Sequence, residues 1–183
     1  MAIQKAFKVC CAVTAIFIIV IAIIFTTLAL TVFKPKNPDI QAYPVGLDKV
    51  QWGFTSNVTI GMVITIGNRN YGSFQYKNTS ATIQYHGLSV GEVAIPPEFV
   101  PARSKINITT SANLMTSAVV NSPYFSQDVS GGNLTLTSTA KIPGKVHMFN
   151  FLNMHAVIYN NCKIDLFLIS QTAHSTCFSQ LKL

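Results

Sequence analysis

The residues able to do acid–base, nucleophilic or metal chemistry are few. They are the acids Asp39, Asp48, Glu92, Glu98, Asp128 and Asp165, the histidines His86, His147, His155 and His174, and the cysteines Cys10, Cys11, Cys162 and Cys177. The acids are dispersed, and no two share a run that would set up general acid–base catalysis. No His-x-x-x-His spacing occurs, and three of the histidines alternate into strand or strand-edge positions, so they read as surface or rim residues rather than metal ligands. There is no Gly-x-Ser-x-Gly elbow, no phosphate-binding Gly-rich loop and no Gly-x-Gly-x-x-Gly, and Gly131-Gly132 reads as a turn. The expectation is a protein that is not an enzyme, with no catalytic, metal-binding or cofactor-binding residues and no cofactor.

The cysteines fall into two pairs. Cys162 and Cys177 are alone in the C-terminal part. They lack the ligand count for structural zinc and suit an oxidising compartment, where a bridge would close a loop of about 15 residues and contribute on the order of 3 kcal/mol. Cys10 and Cys11 stand beside Lys8 at the start of an apolar run. They are candidates for S-palmitoylation on the cytosolic side, or simply small apolar residues of a membrane helix.

Four Asn-x-Ser/Thr sequons follow that run: Asn57-Val-Thr, Asn78-Thr-Ser, Asn107-Ile-Thr and Asn133-Leu-Thr. Random order would give roughly two. Placement is more informative than number, because in each case the residue between Asn and Ser/Thr can point inward and leave the sequon on an outer face. Asn57, Asn78, Asn107 and Asn133 are therefore glycosylation candidates.

The elements that must position these residues begin with a run, residues 9–33, that carries no charge. As a helix it would span roughly 37 Å against a hydrocarbon core of ~30 Å, long enough to cross with tilt and suited to a plasma membrane. A cleaved signal peptide has a shorter apolar region, about 7–15 residues, so the run reads as a retained signal anchor. Over the whole chain of 183 residues, 49% are hydrophobic, 10% are charged, and 13 Lys+Arg against 6 Asp+Glu leave a formal charge of +7. Lys5, Lys8, Lys34 and Lys36 bracket the run and account for much of that excess. Two lysines lie on each side, so charge does not orient the span. The remainder is too mildly basic for nucleic acid. A cytosolic N-terminus and an extracellular C-terminal domain is the orientation that explains both cysteine pairs.

Lys34-Pro35-Lys36-Asn37-Pro38 then breaks the helix and starts a neck. Beyond it the apolar residues alternate with period two: Val58, Ile60, Met62, Ile64 and Ile66; Ala81, Ile83 and Tyr85; Ile106 and Ile108; Leu134, Leu136, Ala140 and Ile142; Cys162, Ile164, Leu166 and Leu168. Weaker strands are read at 49–54, 73–76, 91–95 and 146–158, the last bent near Asn150 and Asn153. The small-residue stretch 112–121 is the one helical candidate, and Trp52 reads as a core residue. The economical fold is an all-β, antiparallel sandwich of seven to nine strands, of the immunoglobulin or fibronectin type, behind one transmembrane helix. The layout is a cytosolic tail at 1–8, the span at 9–33, a neck at 34–46 and the sandwich at 47–183.

Several local runs carry a family likeness. Thr31-Val32-Phe33-Lys34-Pro35-Lys36-Asn37-Pro38, the Asn68-Arg69-Asn70-Tyr71 turn, Ile83-Gln84-Tyr85-His86-Gly87, Gly91 before Pro96-Pro97-Glu98-Phe99, and the strand at Lys105 resemble the plant group-2 late embryogenesis abundant proteins. These include membrane-anchored harpin-induced and non-race-specific disease-resistance relatives, which share a water-stress and hypersensitive-response domain. Arg69 stands where many relatives place Pro. The resemblance implies a single-pass plasma-membrane protein with an outward-facing sandwich, acting in defence or abiotic stress and having no catalytic residues. Its expected partners are the bilayer and a protein or cell-wall component, or its own copies. An alternative is lipid binding in an apolar seam lined by Ile64, Ile83 and Leu136.

Overall fold

The computed structural model describes residues 2–31, 34–45, 57–148, 152–170 and 172–183, in two compact units, Met1–Pro35 and Lys36–Leu183. Strand 49–54, Asp48, Trp52 and the bend at Asn150 lie outside the described residues.

The first unit is helix α1, Ala2–Thr31. It starts within the segment read as a tail, because Ala2 to Lys8 contains no helix breaker. Its window Cys11–Leu28 has a mean hydropathy of 2.8 and is long and apolar enough to cross a membrane. Large apolar side chains such as Phe17, Ile19 and Phe25 are exposed all round it. A helix that is apolar on every face is consistent with a membrane span. Its polar hydroxyls are satisfied internally: Thr26, Thr27 and Thr31 donate to the carbonyls of Ala22, Ile23 and Thr27 at 2.9, 2.8 and 2.6 Å.

The second unit is antiparallel β, as the alternation predicts. Its strands are β1 Asp39–Val45, β2 Asn57–Gly67, β3 Ser73–Tyr76, β4 Thr79–Tyr85, β5 Leu88–Ile95, β6 Glu98–Val100, β7 Lys105–Met115, β8 Asn133–Met148, β9 Leu152–Phe167 and β10 Thr172–Lys182. Two short helices, α2 Thr116–Val120 and α3 Phe125–Ser130, lie between β7 and β8. Among the described residues the strands form one sheet, in the order β1-β2-β7-β5-β4-β8-β3-β6, with β9 on β8 and β10 on β9. The layers of the expected sandwich are continuous because β8, 16 residues long, pairs with β4 around Ala81↔Ala140 and with β3 around Phe74↔Val146. At the other end the Leu181 N–H donates to Asn37 Oδ1 at 3.0 Å, bringing β10 back to the segment before β1.

One side of every long strand feeds a common core. Val58, Ile60, Met62, Ile64 and Ile66 of β2 are buried, as are Ala81, Ile83 and Tyr85 of β4, and Leu134, Leu136, Ala140 and Ile142 of β8. Three readings change. The neck carries β1, whose Ile40 and Ala42 are buried. Within 146–158, Val146–Met148 end β8 and Leu152–Ile158 begin β9, paired with each other from Val146↔Met154 to Met148↔Leu152, rather than forming one bent strand. Only Thr116–Val120 of the helical candidate is helix. Ala112 and Leu114 finish β7, because both are buried on one face and a period of two fits that better than a helical turn.

Gly91 has a steric role. The β4–β5 register shifts between Ile83 and Gln84, so Val90 and Gly91 are buried in succession at a bulge. A Cβ on Gly91 would stand 2.5 Å from the Asn113 carbonyl oxygen on β7, so only glycine allows the two backbones this approach.

Candidate functional site

The β4–β5 hairpin turns through His86 and Gly87, with φ of 46° and 83°. Two positive φ values in a two-residue loop are what a type I′ turn requires. The turn presents His86 to α3, where its Nε2 lies 2.9 Å from Asp128 Oδ2. The buried Tyr85 hydroxyl donates to the same oxygen at 2.6 Å. Tyr124 stacks on the imidazole with ring centroids 4.2 Å apart, and Tyr85 meets it edge-on at 4.6 Å. A histidine and an acid therefore converge, while His86 itself stays exposed, as a surface or rim residue does. Sequence offers no signal for this, since 42 residues separate them.

The electrostatics describe a clasp. The Tyr85 hydroxyl, then His86, holds the Asp128 carboxyl below the usual carboxylate range. Burial, then the hydrogen bond to Asp128, pushes the Tyr85 hydroxyl above the usual phenol range. The Asp128 contribution to stability is present above an ordinary Asp pKa of about 3.9 and is lost as pH falls through its folded value. The Tyr85 contribution is present below about pH 10 and is lost as pH rises through its folded value. Urea unfolding of the detergent-solubilised protein is expected to show stability falling at both extremes. Tyr85→Phe should abolish the alkaline limb from this site and shrink the acid one. An unchanged pH profile in that variant would refute the clasp.

A second constellation is the turn after β2. Asn68 is buried, and its Nδ2 donates to the carbonyls of Gly72 and Pro101 at 2.8 and 3.1 Å while its Oδ1 accepts from the Asn70 N–H at 3.0 Å. Asn70 holds the backbone of Lys36 in both senses: its Oδ1 accepts from the Lys36 N–H at 2.6 Å, and its Nδ2 donates to the Lys36 carbonyl at 2.7 Å. The Arg103 guanidinium sits 4.1 Å from the Tyr71 ring centroid. Arg69 points to Asp39 at 3.6 Å, an exposed pair of small energetic value.

The third feature is a groove of about 560 Å³ on the outer face of β4, β8, β9 and β10, with Thr82, Thr139, Lys141, Tyr159, Asn161 and Phe178 among its lining residues. Its aromatic side chains are unusually open, Phe178 at 69% and Tyr159 at 41% exposure.

Cys162 and Cys177 form a disulfide across directly paired positions of β9 and β10. The sequon residues Asn57, Asn78, Asn107 and Asn133 are all exposed. Cys11 is an exposed free cysteine, while the side chain of Cys10 lies outside the described residues. His147 Nδ1 lies 2.6 Å from Asn153 Oδ1, His155 is exposed, and His174 sits opposite Asp165 in the β9–β10 register. The Thr135 hydroxyl, then Lys163, holds Asp165 below the usual carboxylate range despite its partial burial. Among the described residues no group of three His, Cys, Asp or Glu is placed to hold a metal. Ile64, Ile83 and Leu136, the residues of the lipid-seam alternative, are all buried in the common core.

What these features define is an antiparallel β domain preceded by a helix of membrane-spanning length, with a disulfide and polar, exposed outer faces. The chain is 26% identical over 145 residues, covering 74% of its length and 67% of the relative's, to a late embryogenesis abundant protein of Arabidopsis thaliana. That likeness supports a relationship to late embryogenesis abundant proteins. No protein-family profile matches the sequence. A crystal structure of a protein from Archaeoglobus fulgidus aligns with a TM-score of 0.41 at 13% identity, covering 81% of this chain and 99% of that one.

Proposed function

We propose that this chain is a non-enzymatic, single-pass plasma-membrane protein whose β domain faces the cell exterior. It acts in the stress responses of a plant, against pathogens through the hypersensitive response or against abiotic stress, by contacting protein, wall or membrane partners. The observation that carries this reading is the Cys162–Cys177 bridge in a domain whose four sequon asparagines are all exposed. Disulfides and N-glycans both belong to the secretory and extracellular side of a membrane. The exposed apolar helix α1 supports retention in the bilayer, and the Arabidopsis likeness supports the stress role. In this reading His86 and Asp128 tie a hairpin to a helix, and the harpin-induced and non-race-specific disease-resistance proteins are the relevant relatives.

Endoglycosidase treatment combined with protease protection on sealed cells expressing the full chain tests the proposal. The β domain is expected to be digested without permeabilisation and to shift in mobility on deglycosylation. Digestion only after permeabilisation, with no glycan shift, would place the domain in the cytosol and overturn it.

A further inference from the structure

The outer groove follows from strand register. Phe178 of β10 lies opposite Asn161 of β9, Asn161 opposite Thr139 of β8, and Thr139 opposite Thr82 of β4. Two residues along, Gln180 lies opposite Tyr159 and Tyr159 opposite Lys141. Side chains two apart on a strand share a face, so these form two parallel rungs about 7 Å apart, on strands about 4.8 Å apart. The face is therefore chemically mixed. Phe178 and Tyr159 supply open rings on neighbouring strands, and Thr82, Thr139, Asn161 and Gln180 surround them with hydroxyl and amide groups.

Immediately around Tyr159 the charges are positive; the acids of this outer face stand further off, Glu92 opposite Thr82 and Asp165 further along β9. Lys141 Nζ lies 6.0 Å and Lys182 Nζ 5.2 Å from the Tyr159 ring centroid. Among the described residues neither lysine is ion-paired with an acid, whereas Lys163, further along β9, is engaged with Asp165 at 3.2 Å. Ammonium groups held over a ring, beside free hydrogen-bonding side chains, suit a ligand that is flat, apolar on one side, hydroxylated at its rim and anionic. A pyranose uronate has these properties: a C–H face for the ring, hydroxyls for Thr, Asn and Gln, and a carboxylate for lysine. A protein partner would be better served by a contiguous apolar centre than by rings interleaved with polar groups.

We propose that the β4–β8–β9–β10 face binds an acidic polysaccharide, a uronate chain lying across Phe178 and Tyr159 with its carboxylates at Lys141 and Lys182. The proposal deepens the wall-contact part of the function above and rests on it. The test is calorimetric titration of the detergent-solubilised full chain, enzymatically deglycosylated, with a galacturonate oligosaccharide, its methyl ester and a neutral gluco-oligosaccharide. Saturable binding of the acidic oligomer is expected, weakened by about tenfold or more in Tyr159→Ala and in Lys141→Ala, and weakened likewise by methyl esterification. Both residues are exposed, so the variants should keep the parent melting temperature, and Lys141→Arg should retain binding. The proposal is overturned if the acidic oligomer does not bind, if the variants bind as the parent does, or if the neutral sugar binds equally. It is also overturned if anionic phospholipid vesicles, and no sugar, compete for Tyr159 and Lys141. The outcome is independent of the protease-protection result, so a cytosolic domain and a groove without sugar affinity are separate failures.

Discussion

Replacing Cys162 and Cys177 together by alanine is expected to lower the unfolding free energy by about 3 kcal/mol, the entropy that a bridge over this length of chain removes from the unfolded state. For a domain of this size that corresponds to a fall in melting temperature of roughly 6–12 °C. The two residues are 15 apart and directly opposed in the β9–β10 hairpin. Cys162 is 1% exposed within the core, so the bridge also ties β10 to the packed side of β9. Melting with and without a thiol reductant distinguishes the bridge from the side-chain change. The parent should lose most of the difference on reduction, and the double variant should be insensitive. A parent whose melt ignores the reductant would show that the bridge contributes nothing.

Asn68→Ala is expected to cost a similar amount, about 3 kcal/mol, because it leaves two carbonyls and one N–H without their partner in a largely buried place. The carbonyls of Gly72 and Pro101 lose their donor and the Asn70 N–H loses its acceptor. Asn68→Asp keeps an acceptor for Asn70 but presents an oxygen to both carbonyls, and should be at least as damaging. Asn70→Ala removes only exposed bonds to Lys36 and should cost about 1 kcal/mol. Chemical unfolding gives the energies. Amide exchange at Asn68, whose N–H donates to the Ser104 carbonyl at 2.8 Å, reports the turn directly. Protection there that survives Asn68→Ala would contradict this account.

The strands were legible because burial on one side of a sheet leaves a period of two in the chain itself, as in Val58 to Ile66 and Leu134 to Ile142. The disulfide was legible because few cysteines left few pairings. β1 was hidden by the prolines around it: Pro38 and Pro44 resemble a neck, and Ile40 and Ala42 are too few to stand out. The stretch 112–121 misled because small residues suit helices, while pairing of Ala112 with both Ile60 and Val93 extends β7. The clasp and the groove were out of reach for a different reason. His86 and Asp128 come from separate connections, and Phe178, Tyr159, Lys141 and Thr82 come from four strands whose neighbours depend on topology. A single sequence carries periodicity along a strand but not which strand lies beside it.

The hold of Asn70 on Lys36 bears on how this domain resists being pulled. Lys36 precedes the first β1–β2 rung, Asp39↔Gly67, so tension arriving along the chain from the N-terminal side reaches the Asn70 amide before it reaches the ladder. The turn then acts as a strain relief. Load is shared with the β2 end and, through Asn68, with the 101–104 loop, and the edge strand is spared from peeling one rung at a time. Under a pull on the chain before Lys36, rupture is expected to begin at Asn70, ahead of the β1–β2 ladder.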